Sequence, residues 1–155
     1  MKSLSVRSAA VALVLTIAIA PAHASWEGTE WGMSPAQALV VLDGASSHQP
    51  AKAEIYEDNG ASYAPLVKLD HAIEGVEGTV SLLFDMDERL HFVLFNPRNV
   101  ADCDALGAAL TERYGAAEAA GAGSMSISDW QGDGNSIKLT SFAGAGICNL
   151  SYSRL

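Results

Sequence analysis

The first two dozen residues constrain this chain most, because their pattern predicts that they are removed before the rest of the chain folds. A basic stretch with Lys2 and Arg7 precedes the apolar run AAVALVLTIAIA. Ala22-His23-Ala24 then places small residues at the −3 and −1 positions that a signal peptidase recognises. We therefore expect a signal peptide over residues 1–24, and a periplasmic or secreted location for the remainder.

The remaining residues, 25–155, are expected to form a single α+β domain. The apolar run has twelve residues, short of the 18 or more that a spanning helix needs. The alternative of an N-terminal membrane anchor is therefore disfavoured, and we expect no membrane span after cleavage. Ser25 stands where a lipoprotein would carry cysteine.

The charge balance is strongly acidic. The full chain has 9 basic and 18 acidic residues, a net charge of −9, and removal of Lys2 and Arg7 leaves 7 against 18, or −11. Binding to nucleic acid depends on Lys and Arg displacing phosphate counterions, so this class of partner is disfavoured. A basic protein is the partner that such a charge would steer towards itself.

Cys103 and Cys148 are the only two cysteines. In an oxidising compartment such a pair is expected to form a structural disulfide. The alternative is a redox or metal pair, but neither cysteine lies in a C-x-x-C motif or beside histidine. The predicted bridge closes a loop of about 46 residues, which stabilises the fold by roughly 4 kcal/mol in the chain-entropy model.

Two short helices are predicted. Ser34-Pro35-Ala36-Gln37 forms a capping box with proline at the first helical position, and the helix is expected to run from Ser34 to Asp43. The second helix is expected over Val100 to Tyr114, with Asn99 as its cap. Apolar residues recur in that segment at spacings of three and four, as in a helix.

The clearest strands are Gly78 to Phe84 and Arg89 to Phe95, which predict a β-hairpin. The hairpin residues expected to share the apolar faces are Val80, Leu82, Phe84, Leu90, Phe92 and Leu94. Further strands are predicted near 51–57 and 62–69, and over 124–130, 136–142 and 147–153. The fold class is therefore α+β, with two short helices packed on one face of an antiparallel sheet. The helices begin about 65 residues apart, which raises the hypothesis of a duplicated helix-plus-three-strands unit.

The stretch from Glu30 to Gln37, EWGMSPAQ, resembles the opening of many small exported bacterial proteins of unknown function that begin with a W-G-M-S helix start. The resemblance implies a periplasmic location and a compact α+β domain. The element order is similar to the helix-on-sheet units of β-lactamase-inhibitor proteins and of small outer-membrane assembly lipoproteins. The motif is a capping signature and transfers no catalytic residue.

The sequence predicts no catalytic, cofactor-binding or metal-binding residue. Ser46-Ser47-His48 is expected in a polar loop, without the motif of a nucleophile elbow. His48, His71 and His91 lack the spacing of metal ligands. Asp85-x-Asp87-Glu88 is expected to be a hairpin turn, with weak surface calcium binding as the alternative. The glycine-rich segments lack the Gly-Lys-Ser/Thr of a phosphate-binding loop.

Two tryptophans precede the first helix. Trp31 is expected to pack into the core and fix that helix on the sheet. Trp26 lies near the predicted new N-terminus and is the candidate for an exposed residue on a partner surface.

These features favour an exported, non-enzymatic protein that acts as a binding or structural module, for instance an inhibitor of a secreted cationic enzyme. The partner is expected to be a cell-envelope component or a basic protein, and the sequence does not indicate an oligomeric state. The alternative is a cell-envelope hydrolase with a cryptic carboxylate pair. A deep pocket with two convergent carboxylates would favour the enzyme, whereas an exposed sheet with aromatic anchors would favour the binding module.

Overall fold

The computed structural model of this chain describes residues 26–155, and the predicted signal peptide over residues 1–24 lies outside them. Two α-helices and nine strands form in this part of the chain. The helices are α1 (Pro35–Val41) and α2 (Cys103–Tyr114). The strands are β1 (Ser46–Ser47), β2 (Tyr56–Asp58), β3 (Ala61–Ile73), β4 (Val76–Phe84), β5 (Leu90–Pro97), β6 (Glu118–Ala122), β7 (Met125–Gly132), β8 (Asn135–Phe142) and β9 (Ile147–Arg154). Short 3₁₀ turns occur at Lys52–Glu54, Val100–Asp102 and Ala143–Ala145.

The nine strands form one antiparallel sheet in the order β1-β3-β4-β5-β9-β8-β7-β6, and β2 also pairs with β3. Both helices contribute buried side chains to a single core cluster, Ala38 from α1 and Leu106 and Leu110 from α2. The predicted α+β class, with two helices packed against an antiparallel sheet, is confirmed. Within residues 26–155 neither α-helix lies on the other side of the sheet, which we call the helix-free face.

The capping box predicted at Ser34 is present. The Ser34 backbone N–H donates to Oε1 of Gln37 at 2.8 Å, and the Gln37 backbone N–H donates to Oγ of Ser34 at 3.4 Å. The helix ends at Val41, two residues before the predicted Asp43. α2 also starts later than predicted, because Val100–Asp102 forms a 3₁₀ turn ahead of the α-helix.

The β4–β5 hairpin is confirmed, but the predicted face of two of its residues is wrong. Leu83 pairs with Phe92 whereas the next residue, Phe84, pairs with Leu90, so β5 contains one extra residue at this point. One inserted residue reverses the alternation of side chains along the strand. Leu90 therefore faces the core with Phe84, while Phe92 and Leu94 point to the helix-free face. The buried residues of β5 beyond the bulge are Val93 and Phe95.

The strand order is symmetric about the pairing of β5 with β9 in the middle of the sheet. In each half a helix precedes a three-stranded meander, β3-β4-β5 after α1 and β7-β8-β9 after α2. Short edge strands lie outside both meanders and go beyond the predicted helix-plus-three-strands repeat: β1 and β2 in the first half, and β6 in the second. A common origin of the two halves stays a hypothesis.

The predicted disulfide between Cys103 and Cys148 is confirmed. Its Cα atoms are 5.9 Å apart, and it joins the first residue of α2 to β9 across a sequence separation of 45. Both cysteines are buried. The bridge therefore fixes the start of α2 onto the central part of the sheet.

No helix within residues 26–155 has the length and apolar character needed to cross a membrane.

We expect reduction of the Cys103–Cys148 bridge to destabilise the fold by about 4 kcal/mol, since the loop that it closes gains freedom mainly in the unfolded chain. Denaturant unfolding of the oxidised protein and of the Cys103→Ser/Cys148→Ser variant measures the difference. Equal midpoints for the two proteins would show that the bridge does not constrain the unfolded chain.

Candidate functional site

Four aromatic side chains cluster on the helix-free face, and we call them the aromatic patch: Tyr56, Tyr63, His91 and Phe92. The ring centroids of Tyr63 and Phe92 are 4.9 Å apart, and those of Tyr56 and Phe92 are 5.6 Å apart, both pairs in edge-to-face geometry. The His91 ring lies 5.2 Å from Tyr63. Such contacts between rings hold the side chains in fixed orientations.

The patch is built from three strands. Tyr56 and Tyr63 are register partners across β2 and β3, on either side of a turn at Asn59 and Gly60, both of which have positive φ. The bulge in β5 turns Phe92 to the same side. Tyr56 is 40% exposed, whereas Leu83, the register partner of Phe92, is 1% exposed. The patch therefore presents aromatic surface over a closely packed base.

Carboxylates border the aromatic patch. Asp85 lies 2.8 Å from Nε2 of His91, whereas Glu57, which follows Tyr56 along β2, accepts a hydrogen bond from the Ser62 hydroxyl on the other side of the hairpin at 2.7 Å. The pKa of Tyr56 is raised, first by burial and then by the neighbouring charge of Asp58. The acidic border of the patch thus consists of Asp58 beside Tyr56 and Asp85 beside His91.

Asp85 also shapes the β4–β5 turn. Its Oδ1 accepts the backbone N–H groups of Asp87 and Arg89, both at 2.9 Å. Burial opposes ionisation of Asp85, yet the Arg89 N–H, the His91 ring and the Asp87 N–H outweigh burial and lower its pKa. The predicted hairpin turn is confirmed. Among residues 26–155, no group of three His, Cys, Asp or Glu side chains is placed to hold a metal ion.

Glu54 holds the segment that precedes β2 in place through contacts with Lys68, Ala51 and His48, which we call the Glu54 brace. Its carboxylate accepts hydrogen bonds from the Lys68 ammonium and from the Ala51 backbone N–H, and it contacts His48 Nε2 at 3.0 Å. The Lys68 bond, followed by the Ala51 and His48 bonds, lowers the pKa of Glu54 to about 2. Because Tyr56 follows Glu54 by two residues, this brace fixes one edge of the aromatic patch to β3. Ser47 and His48, expected in a loop, lie in or beside the edge strand β1.

A second candidate site is a cavity of about 290 Å³ between the two halves of the fold, which we call the seam cavity. It lies on the helix side of the sheet, where the end of β3, the last turn of α2 and the β7–β8 turn meet. The lining residues are Trp26, Glu27, His71, Ala72, Ile73, Glu74, Arg113, Tyr114, Asp133, Asn135 and Tyr152. Sequence reasoning missed this site because its residues come from five separate segments.

Arg113 joins two acids of the seam cavity. One terminal nitrogen lies 2.7 Å from Oε1 of Glu74, and the other lies 3.3 Å from Oδ2 of Asp133. The Glu74 bond is the main reason that the pKa of Arg113 is raised. The Tyr114 hydroxyl donates to the same Asp133 oxygen at 3.2 Å, and the Arg113 guanidinium lies 5.0 Å from the Tyr114 ring centroid.

The expectation that Trp26 is an exposed residue on a partner surface is wrong, since its side chain is 6% exposed and belongs to the core cluster. The Thr29 hydroxyl and backbone N–H both donate to the Trp26 carbonyl, at 2.6 and 2.9 Å. This turn folds the indole inward, where its ring meets His71 edge-on at 5.4 Å. Trp31 packs against the core as predicted, and its Nε1 donates to Oδ1 of Asn135 at 3.1 Å.

Comparison with known proteins finds no match to a family model, to a curated protein or to a solved structure.

We expect the Glu54 brace to stabilise the fold in a pH-dependent way. The folded pKa of about 2 lies below the ordinary value of 4.5, so the contribution is present above pH 4.5 and is lost as the pH falls towards 2. Unfolding of the wild type and of Glu54→Gln, measured across this range, should show a difference in stability that shrinks towards low pH. Lys68→Met should raise the pKa of Glu54 in an NMR titration, and an unchanged pKa would contradict the assignment of Lys68 as its main partner.

Gly132 packs directly against the ring of Tyr114, which lines the seam cavity. A Cβ atom at position 132 would lie 2.3 Å from a carbon of that ring, so we expect Gly132→Ala to destabilise the protein by roughly 1–3 kcal/mol through overpacking. Thermal unfolding measures the effect. Gly144→Ala is the matched control, because its Cβ would meet Phe142 at an ordinary 3.6 Å. Equal effects of the two changes would contradict the tight contact at Gly132.

Proposed function

We propose that this protein is an exported, non-enzymatic binding module that holds a basic protein partner against the aromatic patch. The observation that carries the proposal is the combination of an open aromatic surface with an acidic border on the helix-free face. Aromatic rings attract the ammonium and guanidinium groups of Lys and Arg. Carboxylates at the border supply the charge-assisted hydrogen bonds that orient such groups.

The net charge supports the same class of partner. A chain with 18 acidic and 9 basic residues attracts a basic protein at long range, which speeds encounter at low salt. Inhibition of a secreted cationic enzyme is one form that this function could take.

The base of the patch supports tight binding. Leu83 is buried beneath Phe92, and the Glu54 brace holds the segment that leads into Tyr56. Rings that are already held in place lose little conformational freedom when a partner docks. Truncation of such an anchor typically weakens an interface by 2 kcal/mol or more.

An oxidising compartment is part of the proposal. Cys103 and Cys148 form a disulfide, and such bonds persist mainly in secreted and periplasmic proteins. The sequence pattern of residues 1–24 supports the same location.

The alternative, a cell-envelope hydrolase, rests on the three carboxylates of the seam cavity, Glu27, Glu74 and Asp133. Arg113 ion-pairs with both Glu74 and Asp133. A carboxylate pair in a glycosidase needs both acids directed at the substrate bond. This arrangement leaves Glu27 as the acid without a guanidinium partner, so the binding module is the function that we favour.

Affinity capture from envelope extract tests the proposal, with the wild type, Tyr56→Ser and Tyr63→Ala/Phe92→Ala as baits. We expect the wild type to retain basic proteins, and each patch variant to weaken the purified interaction by about tenfold or more. Raising salt to about 0.5 M should slow association, because exposed charges are then screened.

Glu118→Gln is the matched control, since Glu118 lies on the exposed edge strand β6 at the other end of the sheet. Tyr56→Ser removes a side chain that is 40% exposed, so it keeps the test valid if the double variant unfolds. Retention of the same partners by folded patch variants, or capture of acidic proteins that is indifferent to salt, would refute the proposal.

A further inference from the structure

We propose that the seam cavity is a second binding site, specific for a small organic cation that carries an amine or guanidine group. The site goes beyond the proposed protein-binding function, because it lies on the helix side of the sheet and shares no residue with the aromatic patch. Charge, an unpaired buried hydroxyl and aromatic walls support it independently.

The charge of the cavity favours a cation. Glu27, Glu74 and Asp133 oppose a single guanidinium, that of Arg113. Three carboxylates against one guanidinium give the cavity an excess of negative charge. Nε2 of His71 lies 3.9 Å from Oε1 of Glu27. A bound ammonium would neutralise part of this excess in a partly enclosed space, where charges interact more strongly than in open water.

The hydroxyl of Tyr152 has no hydrogen-bond partner among the residues that the structure describes. The side chain is 5% exposed, and within residues 26–155 its hydroxyl makes no hydrogen bond. No fully enclosed side-chain oxygen or nitrogen in the described part of the chain is left unsatisfied, so this oxygen must open into the cavity. Burial raises the pKa of Tyr152, with further influence from Tyr114, Arg113, Glu74 and Glu27. These neighbours place the hydroxyl among the charged groups of the cavity.

The Tyr152 oxygen faces the cavity and is therefore available to a ligand. An N–H donor of a ligand would supply the missing hydrogen bond to the Tyr152 oxygen. The same ligand nitrogen could then face Glu27 or the second oxygen of Glu74. The cavity therefore offers acceptors for an ammonium or guanidinium group.

The walls of the cavity suit the apolar part of such a ligand. Trp26, Tyr114 and Tyr152 contribute rings, and aromatic rings attract cations. The cavity already accommodates one guanidinium, since Arg113 lies 5.0 Å from the Tyr114 centroid and binds two of the carboxylates. A volume of about 290 Å³ suits a molecule of a few carbon atoms and not a folded segment of protein.

Isothermal titration calorimetry of the exported protein with 1,4-diaminobutane at low ionic strength tests the site. The uncharged 1,4-butanediol, of matched length, is the control ligand. We expect the diamine to bind and the diol to give no heat. Binding should also change the fluorescence of Trp26, which lines the cavity.

Two variants separate the contributions. Glu27→Gln removes a carboxylate that is 58% exposed, and Tyr152→Phe removes only the unpaired hydroxyl. Each should weaken diamine binding by about tenfold, while Tyr152→Phe should leave thermal stability unchanged or slightly raised in the absence of ligand. Glu112→Gln, on the exposed side of α2 and outside the cavity, should bind like the wild type.

Absence of diamine binding, equal binding of the diol, or wild-type affinity in both Glu27→Gln and Tyr152→Phe would each overturn the proposal. A diamine that binds with its affinity lowered only by Tyr56→Ser would place the cation on the aromatic patch instead. The seam cavity would then be ruled out as the site.

Discussion

The pairing of β5 with β9 is the interaction on which the rest of the structure depends. Val93 faces Tyr152, and Phe95 faces Leu150, in the middle of the nine-stranded sheet. All four side chains are buried. Without this pairing, each half would be a small meander with one helix, and neither would enclose enough apolar surface to be stable alone. The disulfide fixes α2 to β9 and so strengthens the same junction.

The parts of the fold that the sequence predicted correctly depend mostly on local signals. The capping box at Ser34 and the helical spacing of Leu106 and Leu110 involve only residues that are close in sequence. Both can therefore be recognised without knowledge of the tertiary structure. The bulge at His91 is different, since nothing in the alternation of β5 distinguishes an inserted residue from a regular one. Its cause is tertiary: Phe84 and Leu90 must both face the core on either side of the turn. The wrong face predicted for Phe92 follows from that single residue.

The candidate sites were predictable to unequal degrees. Tyr56 and Tyr63 flank an Asp-Asn-Gly turn, and the pairing of a short hairpin would have placed them together. Tyr152 and Glu27 are more than 120 positions apart, and only the meeting of the two meanders makes them neighbours. The misassignment of Trp26 has a related origin. Proximity to a predicted N-terminus suggested exposure, whereas the turn closed by Thr29 directs the indole into the core.

The central strand pair also explains how one sheet can carry two separate sites, one on each face. Val93 and Phe92 are consecutive, and so are their register partners Tyr152 and Ser153, so successive residues serve opposite faces. A sheet with a packed core does not deform continuously, and contacts without shared side chains tend to contribute additively. Occupation of the seam cavity should therefore act on the aromatic patch mainly through charge. Since exposed charges are screened over roughly 8 Å at physiological salt, that influence would be weak there and strongest at low ionic strength.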